Sequence, residues 1–206
     1  MTYIKVIGFD WGGVLNDYTK HTELMARHIG ISIEDFKKAV SNHVHSFHLG
    51  LPEMEFWSRV CSDAGIEKPS APFWIKSAEL GIKINEELFE VVRRVRNSDY
   101  KTAMISNAEL PNRDYINEHI KGTSYDLFDH YILSCEIGAV KPDREFFYHT
   151  GQLFGMPPEQ LNQLVVIDDN PLNIQGAISA GAQAILHITN QQTTKELSDL
   201  LKTSLV

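Results

Sequence analysis

The chain has 206 residues, 43% of them hydrophobic and 22% charged, which is enough apolar material for a core and a small accessory lobe. Its 19 Lys and Arg against 27 Asp and Glu give a formal charge of −8, and without a basic stripe a nucleic-acid partner is not expected. Two cysteines, Cys61 and Cys135, have no metal-ligand spacing, and no run reaches the roughly 18 apolar residues of a membrane span. A soluble, cytoplasmic protein with free thiols and no membrane contact is expected.

The first predicted element is a strand over residues 4–9, an apolar run that ends in Asp10 and opens into Trp11-Gly12-Gly13. An ionised carboxylate at the rim of a core is costly unless something pairs with it, and glycines let a backbone approach a bound anion. Asp10 is therefore either a cap for the following turn or a nucleophile or metal ligand.

Residues 17–82 contain no convincing strand. Phe36, Val40, Val44 and Phe47 follow helical spacing, as do Phe56, Val60 and Ala64, and Pro69-Ser70-Ala71-Pro72 breaks one helix from the next. A helical lobe is expected there. Its histidines, His43, His45 and His48, lack an acid at a familiar zinc spacing and read as a solvated helix face. Trp57 reads as part of the lobe's own small core, while Phe73 and Trp74 are candidates for lining a crevice.

From Asn85 onward, helix-like and strand-like segments alternate. Leu88, Val91, Val92 and Val95 mark one helix face, and the basic stretch Arg93-Arg94-Val95-Arg96 suits that helix's C-terminus. Strands are predicted at 102–105, 131–133, 164–167 and 184–187, with helices at 145–154 and 172–180 and a closing helix in 189–206. The alternation predicts an α/β fold, a Rossmann-like parallel sheet with helices on both faces.

The strand ends carry the chemistry. Residues 102–105 run into Ser106-Asn107, residues 164–167 run into Asp168-Asp169-Asn170, and between them lies Gly138-Ala139-Val140-Lys141-Pro142. Ligands of such sheets bind outside the carboxyl ends of the strands, so Asp10, Ser106, Lys141 and the acid pair should converge on one crevice. Singly, Ser106 and Asp168-Asp169 could be helix caps and Lys141 an exposed lysine.

The order and identity of these four features resemble the haloacid dehalogenase-like hydrolase superfamily. Residues 129–134, Lys141-Pro142-Asp143 and residues 167–174 are most similar to its small sugar-phosphate phosphatases, the bacterial α-glucose-1-phosphate phosphatase group in particular. The resemblance implies a core domain of residues 1–16 and 83–206 and a cap domain of residues 17–82 that closes over the crevice. It implies an Mg²⁺-dependent phosphatase acting on small phosphorylated metabolites, with Asp10 as nucleophile. Asp10, the Gly12 carbonyl, Asp168 and Asp169 would hold the metal. Trp11, Gly12, Ser106, Asn107 and Lys141 would bind the phosphate.

One position departs from the pattern. Most phosphatases of this superfamily carry a second aspartate two residues after the nucleophile, as general acid and base; here that position is Gly12. Such help is worth about 10² to 10⁴ in rate. Its absence suits an activated leaving group such as the anomeric oxygen of a sugar 1-phosphate, or a substitute acid such as Asp17. Two other functions compete. A 2-haloacid dehalogenase would use the same nucleophile without metal, but usually has Tyr at the Gly12 position and lacks the acid pair. A non-catalytic phospho-ligand binding protein would have kept the cradle and lost turnover.

Overall fold

A computed structural model describes residues 3–205. In chain order, β1 (Val6–Asp10) and the short β2 (Asn16–Asp17) precede five helices, α1 (Thr19–Ile29), α2 (Ile33–Ser41), α3 (Val44–His48), α4 (Glu53–Ala64) and α5 (Trp74–Gly81). The chain returns through β3 (Lys83–Ile84), antiparallel to β2, into α6 (Glu86–Asn97), β4 (Lys101–Ser106), α7 (Leu110–His119), β5 (His130–Leu133) and α8 (Ser134–Ile137). It ends with α9 (Arg144–Leu153), β6 (Leu164–Asp168), α10 (Pro171–Ala180), β7 (Gln183–Leu186) and α11 (Asn190–Leu201). The outermost residues assigned to the core by sequence, 1–2 and 206, lie outside the described residues.

Five strands form one parallel sheet in the order β5-β4-β1-β6-β7. Every residue of β1 and β6 is buried, and parallel strands covered on both faces read as continuous apolar runs because neither face meets water. Successive side chains alternate between two cores. Ile7, Phe9, Met104, Val165 and Ile167 join the one formed with α6, α7, α11 and the lobe. Val6, Ala103, Ile105, Leu164 and Val166 join the one formed with Phe146 and Phe147 of α9 and Ala177 of α10. The fold expected from the alternation of segments is thus the one observed.

The central strand sits between β4 and β6, so Asp10 pairs in register with Ile105 and lies next to the ends of both neighbours. Asn85 starts α6 by accepting a hydrogen bond from the Leu88 amide, with Glu86 and Glu87 in the first turn and Arg94 and Arg96 in the last. Those charges complement the helix dipole.

The helical insertion has an aromatic centre. Phe47 stacks on Phe56 at 3.9 Å between centroids and Trp57 on Phe73 at 4.7 Å. One oxygen of Glu53 accepts hydrogen bonds from Trp57 Nε1 at 3.0 Å and from the amides of Phe73 and Trp74 at 2.8 and 2.9 Å. This carboxylate joins α4 to the start of α5 across the proline-bearing segment. The helical spacing from Phe36 to Phe47 does not make one helix, because the chain turns at Asn42 and His43. There His43 Nε2 meets Asp63 Oδ2 at 2.9 Å. Among the described residues, no helix is long and apolar enough to cross a membrane.

Candidate active site

Asp10 is the last residue of β1 and is buried. Its Oδ1 accepts the Trp11 amide at 2.7 Å and the Lys141 ammonium at 2.9 Å. Burial pushes its carboxyl well above the usual range; Lys141 pulls it down, and Asp168 and Asp169 push it further up.

Lys141 lies in the loop before α9, its side chain 1% exposed, with Nζ also 2.6 Å from Asp168 Oδ2 and 3.2 Å from the Ile105 carbonyl. Burial alone would lower its pKa, but Asp10 and Asp168 outweigh that and raise it, so the ammonium is a fixed cation. Asn107 holds its backbone: Nδ2 donates to the Lys141 carbonyl at 2.8 Å, and Oδ1 accepts the Lys141 amide at 2.7 Å. The next residue, Pro142, packs on Gly176 of α10, where an added Cβ would lie 2.3 Å from the Pro142 carbonyl.

Asp168 ends β6 without exposure. Its oxygens accept from the Asn170 amide at 2.9 Å and from Asn173 Nδ2 at 3.0 and 3.1 Å, besides Lys141. Asp169, the next residue, is exposed. Candidate ligand oxygens of Asp10, Asp168 and Asp169 lie within 4.8 Å of one another. Three carboxylates face one lysine, so two negative charges are uncompensated, and an all-oxygen donor set of this charge fits a hard divalent cation.

Gly13 makes that set possible. Its φ is +75°, and a Cβ there would lie 2.2 Å from Asp169 Oδ2. Gly13→Ala is expected to cost about 1–2 kcal/mol in backbone strain and to displace the Asp169 carboxylate, weakening magnesium binding at least roughly tenfold, about 1.4 kcal/mol. Isothermal titration of the variant with Mg²⁺ measures this; unchanged affinity would remove Asp169 from the ligand set.

These groups open into a crevice of about 730 Å³ between the sheet edge and the helical lobe. Trp11, Gly12, Ser106, Asn107 and Asp169 line it with Asp10 and Lys141, so all of the residues expected from sequence meet there except Asp168, which lies beneath them and is held by Lys141. At Gly12, an added side chain would press on Tyr18, whose ring is 3.3 Å from an ideal Cβ. Asp17 accepts the Thr19 amide at 2.9 Å, and these hydrogen bonds lower its pKa; it lines a neighbouring depression rather than the crevice.

Several crevice residues carry no signal in the sequence. His48 is not part of a solvated helix face: its Nε2 reaches Glu109 of the core at 3.3 Å. Burial would raise Glu109, but the hydrogen bond and charge of His48 hold its carboxyl below the usual range. Asn16, His21 and Asn112 are buried and also line the crevice. Trp74 lines it as expected, and Trp57 does so while belonging to the lobe core.

The family model for haloacid dehalogenase-like hydrolases matches residues 4–181. Among solved structures, the chain is similar to a haloacid dehalogenase family enzyme, bt-2542, from Bacteroides thetaiotaomicron, in complex with magnesium and inorganic phosphate. That match has 18% identity, covers 90% of this chain and 94% of that one, and has a TM-score of 0.69. A haloacid dehalogenase family phosphatase from Thermococcus onnurineus is 17% identical over 98% of this chain and 100% of that one, with a TM-score of 0.69. The L-2-haloacid dehalogenase RSc1362 is 17% identical over 90% and 86%, with a TM-score of 0.67. At such identities the likeness concerns the fold.

Proposed function

The chain belongs to the haloacid dehalogenase-like hydrolase family, and from that membership we propose that it is a magnesium-dependent phosphatase of small phosphorylated metabolites, sugar phosphates among them, working in the cytoplasm. The observation that carries this reading is the acid pair beside Asp10: three convergent carboxylates with one lysine. A dehalogenase attacks carbon and has no use for such a metal cradle. The bt-2542 complex with magnesium and phosphate supports the same direction.

In this reading magnesium is held by Asp10, the Gly12 carbonyl and Asp169, with Asp168 behind them, and supplies charge neutralisation for the phosphate dianion. Asp10 Oδ1 is fixed by Trp11 and Lys141, which leaves Oδ2 to attack phosphorus. The Oδ2–P bond forms as the ester P–O bond breaks, and the ester oxygen leaves with the electron pair of that bond and takes a proton from solvent water. Water then attacks phosphorus as the Oδ2–P bond breaks, freeing phosphate; the electron pair returns to the Asp10 carboxylate, and the proton lost by the water goes to solvent. This divides one difficult displacement into two.

Ser106 donates its hydroxyl to a phosphate oxygen, and the backbone N–H groups of Gly12 and Asn107 complete the cradle, the Trp11 N–H being spent on Asp10 Oδ1. Lys141 holds Asp10 in place and offsets its charge against the incoming anion. Gly12 cannot move a proton, so a good leaving group is favoured, and an anomeric phosphate leaves from a more acidic oxygen than an ordinary alcohol does. The helical lobe acts as a cap that excludes water and selects the substrate.

The test is phosphate release from hexose and pentose phosphates and from p-nitrophenyl phosphate, beside chloride release from 2-chloropropionate, each with magnesium and with a chelator. Magnesium-dependent phosphate release, fastest with anomeric phosphates, is expected. Halide release insensitive to the chelator would favour a dehalogenase.

A further inference from the structure

Among the described residues, four buried side-chain atoms lack a hydrogen-bond partner: Asn16 Oδ1, His21 Nε2, Asn112 Oδ1 and His119 Nε2. The last has Glu79 3.7 Å away. The other three belong to residues lining the crevice that also holds Asp10 and Ser106. They come from separate parts of the fold, β2, α1 and α7, and each residue is at most 8% exposed. A buried polar atom without a partner is costly and calls for an explanation.

Asn16 is fixed as an acceptor, while His21 and Asn112 can each donate or accept. Asn16 spends its amide on the Trp11 carbonyl, to which Nδ2 donates at 2.8 Å, so its unpaired end is the oxygen. Neither end of the Asn112 amide is held by a side-chain hydrogen bond, so its buried end can turn to donate or to accept. Burial pulls the His21 pKa to about 4 against Glu109 and a backbone hydrogen bond to Trp74, so the ring is neutral near pH 7. A neutral imidazole has one donor and one acceptor nitrogen, so the unpaired Nε2 can take either role. Glu109, paired with His48 on the same wall, adds a carboxylate.

Resting on the phosphatase reading above, we propose that Asn16, His21, Asn112 and Glu109 form a hydrogen-bonding subsite that recognises the hydroxyl groups of a neutral polyol esterified to the phosphate. Hydroxyls can satisfy such a set because each can both donate and accept a hydrogen bond. A halogen cannot donate, and a second phosphate or a carboxylate would face Glu109. The indole of Trp74, met edge-on by His21 at 4.5 Å between centroids, supplies an apolar wall for the C–H faces of a sugar ring. A site built to hydrogen-bond a substrate hydroxyl discriminates strongly against an analogue that lacks it, since its buried groups are left unpaired.

The test is binding rather than turnover, so that it stands apart from the phosphatase reading. Calorimetric affinities of hexose and pentose phosphates are compared with that of cyclohexyl phosphate, which has a ring of similar size and no hydroxyls. The full-length Asp10→Asn protein is used with magnesium present. The best sugar phosphate is expected to bind at least about tenfold more tightly than cyclohexyl phosphate. Adding Asn112→Leu or His21→Phe should remove most of that preference. Equal affinity for the two esters, failure to bind either, or a preference that survives both substitutions would overturn the subsite. Should a substituted protein not fold, singly deoxygenated sugar phosphates on the Asp10→Asn protein probe the same contacts; loss of affinity on removing a hydroxyl supports the subsite, and none on removing any overturns it. If the native chain releases no phosphate from any ester, the phosphatase reading fails while the binding ratio still decides the subsite.

Discussion

Lys141→Met is expected to lose turnover and several kcal/mol of folding stability together. Methionine keeps the length and apolar stem of lysine but removes the cation that contacts Asp10 and Asp168, at 2.9 and 2.6 Å. Breaking a buried ion pair from one side costs about 3–5 kcal/mol, because the remaining charge stays desolvated and unpaired. That is a large part of the roughly 5–15 kcal/mol by which a domain is stable. Asp168 keeps its donors on Asn170 and Asn173, so the folded state survives in a weakened form. Magnesium should then stabilise the variant more than it does the native chain, since it would be the sole counter-charge for three carboxylates. Urea unfolding with and without magnesium measures both effects. Unchanged stability in the absence of metal would show that the lysine is not the electrostatic centre of the site.

Asp10→Asn separates chemistry from structure. The carboxamide oxygen can still accept the Trp11 amide and the Lys141 ammonium, and the cluster that Asp10 forms with Asp168 and Asp169 loses one of its like charges. The fold is therefore expected to persist, with stability equal to or above that of the native chain. Turnover is expected to fall by at least about 10³ to 10⁴, as it does when a residue acting as part of a catalytic unit is lost, because an amide is a poor nucleophile towards phosphorus. Phosphate affinity should remain, carried by Ser106, Lys141 and the backbone amides. A variant with unaltered turnover would mean that Asp10 only orients the loop.

The sheet and its charged edge were legible in the sequence for a common reason. Strands buried on both faces become uninterrupted apolar runs, so Asp10, Ser106 and Asp168 stand out as the first polar residues after such runs, and each lies at the carboxyl end of a parallel strand. Helix α7 was not legible: it begins Leu110-Pro111-Asn112 and its apolar residues keep little helical period. The role of Gly13 was hidden as well, because nothing local says that the Asp169 carboxylate will rest against it. Asn16, His21, Asn112 and Glu109 illustrate the general difficulty. Each is a polar residue in a segment with an ordinary local role, and they become neighbours of one crevice only when the lobe docks on the sheet. His48 shows this most clearly, since it read as part of a solvated helix face and its actual partner is a core carboxylate.

The most direct measurement is phosphate release from a hexose phosphate by the native chain and by Asp10→Asn, each at saturating magnesium and with a chelator. Release by the native chain alone, and only with magnesium, is the predicted result, with the Asp10→Asn protein still binding the ester. Release that survives either the substitution or the chelator would contradict a magnesium-dependent phosphatase built on Asp10.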